Sequence, residues 1–572
     1  MEIARLAAGC YTNSTASADW EDGQPMLTRM DTYEALYATF AWNIPARFNM
    51  GVDVCDRHAA RDADAPALLV ASADGDLVTY SFGALRALSN QAANMFRAHG
   101  LRQGDRISVL LPQSVEAALT HIAVWKMGAI SLPLFTLFGE DALLYRLTDA
   151  GAAAVVTDMA NYPKIAALVG SLPDLRRVYV IDAGADGDGF TDFWGGLGKA
   201  SDAFMPMDTA ADDPGLIIYT SGTTGNPKGA LHAHRVLLGH MPAAEMFHNF
   251  LGAPGDLMWT PADWAWIGGL MNSLMCAWHR GVPVVAYRAR KFDPEEALTL
   301  MARLGVRNTF MPPTALRLMS KVPDIRSHFD LRLRSVASAG EPVGAELIHW
   351  ARDALGLTVN EFYGQTECNI IVANCAEIME IKPGSIGRPA PGHVVDVVDA
   401  NGGVLPPGRE GEFACRAPDP VMLLEYWKNP EATQANRRGD WWLMGDTGYR
   451  DDDGYLWFVG RGDDVITSAG YRIGPGEIED CLSRHPAVQL AAVIGVPDPV
   501  RTEAVKAFIM LAPGHDGGPE LEQSIRDFVK TRLSPHEYPR QIEFVDQLPM
   551  TATGKIKRKD LRDAELARHR EP

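Results

Sequence analysis

The sequence has no long apolar run and no paired-cysteine motif. No segment offers about 18 uninterrupted apolar residues, and the N-terminal stretch MEIARLAAGCYTN carries the acidic residue Glu2 and lacks a long apolar core. The seven cysteines are scattered, odd in number and without CxxC spacing, so neither a disulfide framework nor a structural zinc site is indicated. These absences predict a reducing, cytoplasmic setting and no stable insertion in a membrane.

The chain also has little positive charge. It carries 53 Lys and Arg residues against 72 Asp and Glu residues, which gives a formal net charge of −19. Since nucleic acids and anionic membranes attract basic patches, this balance argues against both as partners. Basic residues cluster once, in GKIKRKDLR at residues 554–562, and by composition alone this cluster is typical of a solvated terminal segment. An anionic ligand would therefore need a local positive site.

The length and the apolar pattern predict more than one folded unit. A chain of 572 residues with 47% hydrophobic residues is too long for one ordinary domain. Apolar strands alternate with amphipathic helices over residues 105–158 and again over residues 282–340, which predicts two α/β layers. From about Gly392 the pattern changes to β-hairpins around residues 401–403 and 406–408, which indicates a small β unit.

The pattern changes again after Gly460, where helices and strands alternate once more. We therefore expect a large N-terminal domain over residues 1–460, built of the two α/β layers and the β unit. Residues 461–572 are expected to form a small, mobile α+β C-terminal domain.

The loop YTSGTTGNPKG, at residues 219–229, directly follows an apolar run and holds glycines, hydroxyl residues and one lysine. Glycines let main-chain N–H groups converge, hydroxyls add donors and Lys228 adds positive charge, so the loop has the parts of a phosphate cradle. A flexible hairpin tip is the alternative. The loop is not a Walker motif, because that motif has glycine as the fifth residue after its first glycine, and the fifth residue after Gly222 is Pro227.

Five further segments accompany this loop in a fixed order: SAGEP, EFYGQTE, the pair Gly445 and Asp446, GRGDDVITSAGYRIGPGEIE and PMTATGKIKR. In order and approximate spacing they resemble the motifs of adenylate-forming enzymes, which include acyl-CoA synthetases, luciferases and peptide-synthetase adenylation domains. The resemblance runs over about residues 45–565. WNIPARFNMG and the C-terminal segments are most similar to medium-chain acyl-CoA synthetases. The first forty residues have no counterpart in this resemblance.

The resemblance implies a site for ATP. Its phosphates would lie against Thr220, Ser221, Gly222, Thr223, Thr224, Gly225 and Lys228, and its adenine against Gly340, Glu341, Pro342, Glu361, Phe362, Tyr363 and Gln365. Tyr363 is the candidate to stack on the base. Asp446 and Arg461 would bind the ribose, although taken alone an aspartate here suits a turn cap and an arginine suits a surface ion pair. Thr366 and Arg472 would contact phosphate, and Glu367 would hold Mg²⁺.

The resemblance also implies a two-step reaction. A carboxylate attacks the α-phosphorus of ATP to give an acyl-adenylate, and the thiol of coenzyme A then displaces AMP. The C-terminal domain would rotate about Asp463 between the steps. Lys555 would serve the first step. Ala469, Gly470 and Tyr471 would line the pantetheine tunnel in the second, with Arg501 and Tyr538 as further CoA contacts.

The acid itself is less well defined by the sequence. Trp264 and Ile267 are the candidates for the pocket wall, and a place in the hydrophobic core is the alternative for Trp264, Trp266 and Trp278. Acetyl-CoA synthetases carry a tryptophan where this chain has Gly364, so we expect a more open pocket and medium-chain, branched or aryl acids in preference to acetate.

Other functions stay open at this point. The sequence HAHR at residues 232–235 has two histidines, but their spacing favours packing or a substrate-side role over a metal site. Loading of a carrier-protein thiol, a luciferase-type oxygenase and a nucleotide-binding regulator without turnover are the alternatives. The chain ends soon after the lysine segment, so no fused carrier domain is expected, and Lys555 and Glu367 argue against a regulator. A homo-oligomer is compatible with the sequence.

Overall fold

The structure is a computed structural model. It describes residues 25–220, 227–289, 291–461, 464, 466–468, 471–498, 502–533, 538–551 and 554–568.

The strands are, in chain order, β1 (Pro66–Ala71), β2 (Leu77–Ser81), β3 (Arg106–Leu110), β4 (Ile130–Pro133), β5 (Ala152–Thr157), β6 (Arg177–Val180), β7 (Thr191–Asp192), β8 (Pro214–Tyr219), β9 (Gly229–Ala233), β10 (Met258–Trp259), β11 (Val284–Tyr287), β12 (Asn308–Phe310), β13 (Ser335–Ser338), β14 (Val359–Gln365), β15 (Cys368–Ala373), β16 (Arg388–Pro389), β17 (Val395–Val398), β18 (Gly411–Arg416), β19 (Glu425–Tyr426), β20 (Arg437–Arg438), β21 (Trp441–Arg450), β22 (Leu456–Arg461), β23 (Ile466–Ser468), β24 (Tyr471–Ile473), β25 (Val488–Asp498), β26 (Thr502–Leu511) and β27 (Gln541–Phe544).

The α-helices are α1 (Tyr33–Thr39), α2 (Arg57–Arg61), α3 (Phe82–Ala98), α4 (Val115–Lys126), α5 (Glu140–Ala150), α6 (Tyr162–Leu168), α7 (Phe193–Leu197), α8 (Val236–Phe247), α9 (Ile267–Gly269), α10 (Cys276–His279), α11 (Pro294–Leu304), α12 (Pro313–Met319), α13 (Ile325–His328), α14 (Gly344–Ala354), α15 (Pro430–Ala435), α16 (Pro475–Ser483), α17 (Pro519–Arg532) and α18 (Arg558–Arg568). Short π-helical turns cover Val52–Asp56 and Leu270–Met275, and a 3-10 turn covers Val169–Ser171.

Two large sheets form the N-terminal part. One has the order β16-β15-β14-β13-β12-β10-β11-β1-β2, and the other has the order β19-β9-β8-β4-β3-β5-β6-β7. Their central strands pair in parallel, and antiparallel pairs occur toward the edges, as at β8 with β9 and at β14 with β15. Parallel strands covered by helices on both faces are apolar throughout, as in β5, where every residue is buried. The prediction of two α/β layers is confirmed.

Local sequence signals define the helices that connect these strands. Helix α11 begins after Asp293, whose carboxylate accepts a hydrogen bond from the Glu296 N–H at 2.9 Å. Pro294 occupies the first turn, and Gly305 ends the helix with φ of 69°. An N-cap acid, an early proline and a left-handed glycine are the usual boundary signals, which explains why this helix could be read from the sequence.

Two smaller sheets follow along the chain. Strands β17, β18, β21, β20 and β22 form an antiparallel unit within residues 395–461, as the hairpin signals predict. In the C-terminal part, the described strands β24, β23, β26, β25 and β27 form a sheet with its own apolar core beneath α16 and α17. The fold is therefore a large N-terminal α/β domain followed by a smaller α+β domain.

Residues 25–44, most of which precede the sequence resemblance, pack against the large domain. The carboxylate of the buried Glu245 on α8 accepts hydrogen bonds from the main-chain N–H groups of Met26 and Leu27, at 3.0 and 2.9 Å. The indole of Trp42 donates to the Gly392 carbonyl at 2.9 Å. This segment thus completes the core beside β16. Within the described ranges, no helix combines the length and apolar character that crossing a membrane requires.

Candidate active site

The predicted phosphate loop connects β8 and β9, which pair as an antiparallel hairpin. At its base the Thr220 N–H donates to the Lys228 carbonyl at 2.9 Å, so the two ends of the loop are held together. Ser221, Gly222, Thr223, Thr224 and Gly225 lie outside the described residues.

Lys228 lies close to the predicted metal-binding carboxylate. Its ammonium group is 4.7 Å from the ring centroid of Tyr426, and the Tyr426 hydroxyl donates to Oε1 of Glu367 at 2.6 Å. Thr366 and Glu367 form the tip of the β14–β15 hairpin, and Glu367 is buried. A single oriented carboxylate suits a Mg²⁺ ion that takes its other ligands from nucleotide phosphates and water, so Glu367 fits the predicted role.

Tyr363 and Asp446 are joined directly. The Tyr363 hydroxyl donates to Oδ2 of Asp446 at 2.5 Å, and Arg461 Nε lies 3.9 Å from the other oxygen. These residues come from β14, β21 and β22, and β21 pairs Asp446 opposite Arg461 on β22. Burial raises the pKa of Asp446, while the Arg461 guanidinium acts to lower it. An aromatic ring, a carboxylate and a guanidinium thus meet where the sequence predicts adenine and ribose.

Two predicted adenine contacts have side chains directed elsewhere. Glu361 is buried, and its Oε1 accepts from the Val343 N–H at 3.1 Å. Phe362 stacks on Phe247 with ring centroids 4.2 Å apart. Only the main chain of these two residues is available for the base. Gln365 donates from Nε2 to the Met444 carbonyl at 2.6 Å, which ties β14 to β21.

The SAGEP segment forms a braced loop beside this site. Glu341 Oε2 accepts from Arg317 Nη1 and from the Thr314 hydroxyl, each at 3.1 Å. Arg317 also donates to the Pro342 carbonyl at 3.2 Å. Gly340 has φ of 98°, a conformation that favours glycine. The loop is therefore rigid, and its glycine leaves room for neighbouring side chains.

Lys555 reaches this loop from the C-terminal part. A Cβ atom on Gly340 would lie 3.3 Å from Cε of Lys555 and 3.3 Å from the Trp266 ring. Burial lowers the pKa of Lys555, and the carboxylates of Glu341, Asp446 and Glu367 act to raise it. The structure thus brings Lys555 among the predicted nucleotide ligands, although the basic segment that contains it is close to the end of the chain.

Trp266, rather than Trp264, borders the space near Lys555. Trp266 is half-buried, and its ring centroid lies 5.5 Å from that of Phe310. The Lys555 ammonium lies 5.7 Å from the centroid of the Trp266 ring. Trp264 and Ile267 are 1% and 3% exposed and belong to the core. The Trp266 N–H donates to the Asp263 carbonyl at 3.1 Å, so a tight turn separates the two indoles. Sequence reasoning noted Trp266 but had no means to choose it.

Gly364 does not face an open cavity. A Cβ atom at this position would lie 2.2 Å from the Ile370 main-chain nitrogen and 2.9 Å from the Cys368 carbonyl oxygen. The glycine is thus needed because the two strands of the β14–β15 hairpin approach closely. The expectation that its missing side chain opens the acyl pocket is corrected by this geometry.

The predicted hinge and most of the predicted CoA contacts lie outside what the structure describes. Asp463, Ala469, Gly470 and Arg501 are not described, and neither are the side chains of Tyr471 and Arg472. Tyr538 is half-buried, and its hydroxyl accepts a hydrogen bond from Arg540. These assignments stay predictions.

The histidines of the HAHR segment lie inside the protein. His232 and His234 are fully buried on or beside β9, and burial lowers the pKa of each to about 3. Arg235 pairs with Asp212 at 2.5 Å and donates to the Pro420 carbonyl at 2.5 Å. Both imidazoles are therefore neutral at pH 7.

Comparison with known proteins gives the class to which this protein belongs. Residues 55–427 match the model of the AMP-binding enzyme family, and residues 477–555 match that of the AMP-binding enzyme C-terminal domain. Acyl-coenzyme A synthetase ACSM4, mitochondrial, from Mus musculus is 37% identical over 537 residues, which is 92% of each chain. Acyl-coenzyme A synthetase ACSM3, mitochondrial, from Mus musculus is 35% identical over 93% of each chain.

Solved structures agree with this class. The anthranilate CoA ligase AuaEII in complex with anthranoyl-AMP has a TM-score of 0.85 and 30% identity over 92% of this chain and 99% of its own. Brucella canis acyl-CoA synthetase has a TM-score of 0.73 and 36% identity over 95% of this chain and 100% of its own. The chain therefore belongs to the AMP-binding enzyme family and is an ATP-dependent, AMP-forming acyl-CoA synthetase.

The comparison confirms the resemblance to medium-chain acyl-CoA synthetases and does not favour the carrier-protein alternative. It also corrects the cytoplasmic prediction, because these curated relatives are named as mitochondrial proteins. The prediction rested on cysteine usage and the lack of a long apolar run, and these features are the same in any reducing aqueous compartment.

Proposed function

We propose that the chain activates an aryl, medium-chain or branched carboxylic acid as its acyl-adenylate and then transfers the acyl group to coenzyme A. The observation that carries this proposal is the position of Lys555, which lies beside Gly340 and Trp266 and within the field of Glu341, Asp446 and Glu367.

In the first step, the substrate carboxylate attacks the α-phosphorus of ATP and pyrophosphate leaves. Both reactants are anions, so a fixed ammonium group between them stabilises the transition state. A preorganised charge of this kind is commonly worth about 10²- to 10³-fold in rate. Tyr363, Asp446 and Arg461 would hold the nucleoside, and Thr366 and Lys228 would contact phosphate. A Mg²⁺ ion on Glu367 would neutralise phosphate charge when bound with ATP.

In the second step, the CoA thiol attacks the acyl carbon and AMP leaves. We place the boundary between the two domains at residue 460 and propose that residues 461–572 rotate about Asp463 between the steps. Lys555 would leave the site in this motion, and Ala469, Gly470 and Tyr471 would approach it, with Arg472 serving the first step only. Arg501 and Tyr538 would contact CoA. One site thereby serves two reactions.

The choice of acid is supported by the surroundings of Trp266. Its indole lies half-buried against Phe310, and a Cβ atom on Gly268 would lie 3.0 Å from its ring, so glycine gives the indole space to lie flat. An aromatic wall beside the catalytic lysine favours flat or apolar acyl groups over acetate. Two structural neighbours are named as an anthranilate CoA ligase and a benzoate CoA ligase.

The experiment separates the two half-reactions. Lys555→Ala should lower adenylation, measured as acid-dependent exchange of pyrophosphate into ATP, by about 10²- to 10³-fold. It should leave the conversion of presynthesised benzoyl-adenylate and CoA into thioester intact. Lys557→Ala is the matched control, because Lys557 belongs to the same segment and is exposed.

Equal loss in both half-reactions of Lys555→Ala would contradict the assigned division of labour. Formation of AMP without a CoA thioester, from any acid of a panel of acetate, isobutyrate, hexanoate, octanoate and benzoate, would contradict the acyl transfer to CoA. A wild-type preference for acetate would contradict the proposed acid class.

A further inference from the structure

Two arginines of the basic cluster at residues 554–562 are partly buried. Arg558 and Arg562 lie one turn apart on α18, and their side chains are 21% and 20% exposed. Residues four apart share one face of a helix, so both point the same way. Lys557 and Lys559 from the same cluster are exposed, and in the described part of the chain they pair with neighbours on the helix, Asp560 and Asp563.

Both arginines engage acidic residues that follow the predicted hinge. Arg558 donates from Nε and Nη2 to the two oxygens of Glu479, at 3.1 and 2.6 Å, which is a bidentate pair. Its Nη1 lies 3.7 Å from Oδ2 of Asp464. Arg562 donates to Oδ1 of the same Asp464. The two guanidinium groups therefore hold Asp464 from both sides.

The acidic partners are themselves fixed. Glu479 lies on α16, and its Oε1 also accepts from the Val493 N–H on β25 at 2.8 Å. The Asp464 N–H donates to the Arg461 carbonyl at 2.9 Å, so Asp464 stays close to the end of β22. Burial acts to lower the pKa of Arg558, but Glu479 and Asp464 outweigh it and the pKa is raised. Arg558 thus stays charged at every pH at which the enzyme would be assayed.

Hydrogen bonds within residues 549–557 hold the main chain around Lys555 in a turn that leads into α18. The Thr551 N–H donates to the Lys555 carbonyl at 2.7 Å, and the Lys555 N–H donates to the Thr551 hydroxyl at 3.0 Å. The Lys557 N–H donates to the Pro549 carbonyl at 2.8 Å, and α18 begins at the next residue. Lys555 and α18 therefore move together.

We propose that Arg558 and Arg562 are positioning residues for Lys555, and this inference rests on the proposed function. Their ion pairs attach α18, the helix that follows Lys555, to Asp464. Asp464 comes directly after the predicted hinge residue Asp463. When the C-terminal domain rotates about the hinge, α18 and Lys555 then move with Asp464, and Lys555 reaches the substrate carboxylate in one geometry. Without the pairs, α18 and Lys555 would shift relative to the hinge.

The test compares Arg562→Gln with Arg562→Lys and with Lys559→Ala in the full chain. Arg562→Gln leaves Asp464 paired with Arg558, so the fold is expected to persist. A misplacement of about 1 Å can cost up to 10²-fold, so we expect kcat for adenylation to fall ten- to a hundredfold. The thioester half-reaction from presynthesised benzoyl-adenylate should change by less than about twofold. Arg562→Lys keeps the charge and should recover part of the loss, and Lys559→Ala should resemble wild type.

The outcomes distinguish a role in positioning Lys555 from a role in stabilising the C-terminal domain alone. Equal loss of Arg562→Gln in both half-reactions, together with a lower melting temperature, would mean that the pair only stabilises the C-terminal domain and would overturn the inference. Unchanged adenylation would overturn it as well. If Lys555→Ala itself retains adenylation, the proposed function fails instead, so the two failures are distinguishable.

Discussion

Replacing Glu361 by Gln should make the protein more stable at neutral and alkaline pH. Glu361 is 3% exposed, its Oε1 accepts from the Val343 N–H, and its Oε2 has no hydrogen-bond partner among the described residues. Burial, with a contribution from the nearby Asp480, raises its pKa from 4.5 to about 8, while Val343 and Arg317 act in the opposite direction. The side chain is therefore largely protonated in the folded protein at pH 7.

The size of the effect follows from the shift in pKa. Because the folded protein binds this proton more tightly than the unfolded chain, stability falls as pH rises from 4.5 and stops falling above about 8. A shift of one unit corresponds to 1.36 kcal/mol, so the carboxyl costs at most about 1 kcal/mol at pH 5 and at most about 5 kcal/mol at pH 9. Glutamine keeps the acceptor for Val343 and does not ionise.

Urea unfolding followed by tryptophan fluorescence at pH 5, 7 and 9 measures this difference. Relative to wild type, Glu361→Gln should gain stability progressively from pH 5 to pH 9, by up to about 4 kcal/mol in all. Glu431→Gln is the control, because Glu431 is an exposed carboxyl on α15 and its replacement should leave the pH profile unchanged. A constant difference between wild type and Glu361→Gln at all three pH values would refute the reasoning.

Four further outcomes are expected. Burial lowers the pKa of Lys555 below 10.5, so kcat/KM for adenylation should fall as pH rises through that lowered pKa. The thioester half-reaction does not use this lysine, and its rate should show no such fall. Trp266→Ala should raise KM for benzoate about tenfold and KM for acetate less than about twofold, since an aromatic contact contributes about 0.5–1.5 kcal/mol; equal changes for both acids would contradict its place in the acyl pocket. Gly364→Ala, whose Cβ would lie 2.2 Å from the Ile370 nitrogen, should lower the melting temperature and both half-reactions without changing the chain-length profile. Tyr363→Phe removes the hydrogen bond to Asp446 and should weaken ATP binding, measured by calorimetry, by about three- to tenfold, and unchanged affinity would contradict that role.

The parts of the site that could be predicted from the sequence depend on local patterns. The phosphate loop combines glycines, hydroxyls and Lys228 within eleven residues after an apolar strand, and these residue types alone predict a phosphate cradle. The same is true of helix α11, whose cap, early proline and terminal glycine lie next to one another in the chain. Alternating strands and helices likewise predict the two α/β layers.

Other features depend on contacts between distant residues. The turn at Asp263 directs Trp266 toward Lys555 and leaves Trp264 in the core, and alternation of apolar residues cannot reveal such a reversal. Gly364 was assigned to an open pocket because the strand that approaches it, β15, is known only once the hairpin is folded.

The sequence by itself determined the family and the order of the folded units, and it predicted the chemical groups of the nucleotide site, because these depend on residue type and on spacing along the chain. Only the tertiary structure decided which of these groups meet and what each one contacts. Arg558 and Arg562 illustrate the difference: by composition they belong to a solvated basic segment, yet folding places Asp464 and Glu479, which are about 80 to 100 residues earlier, against them. Partial burial of a charge needs a partner, and the partner's position is a property of the fold.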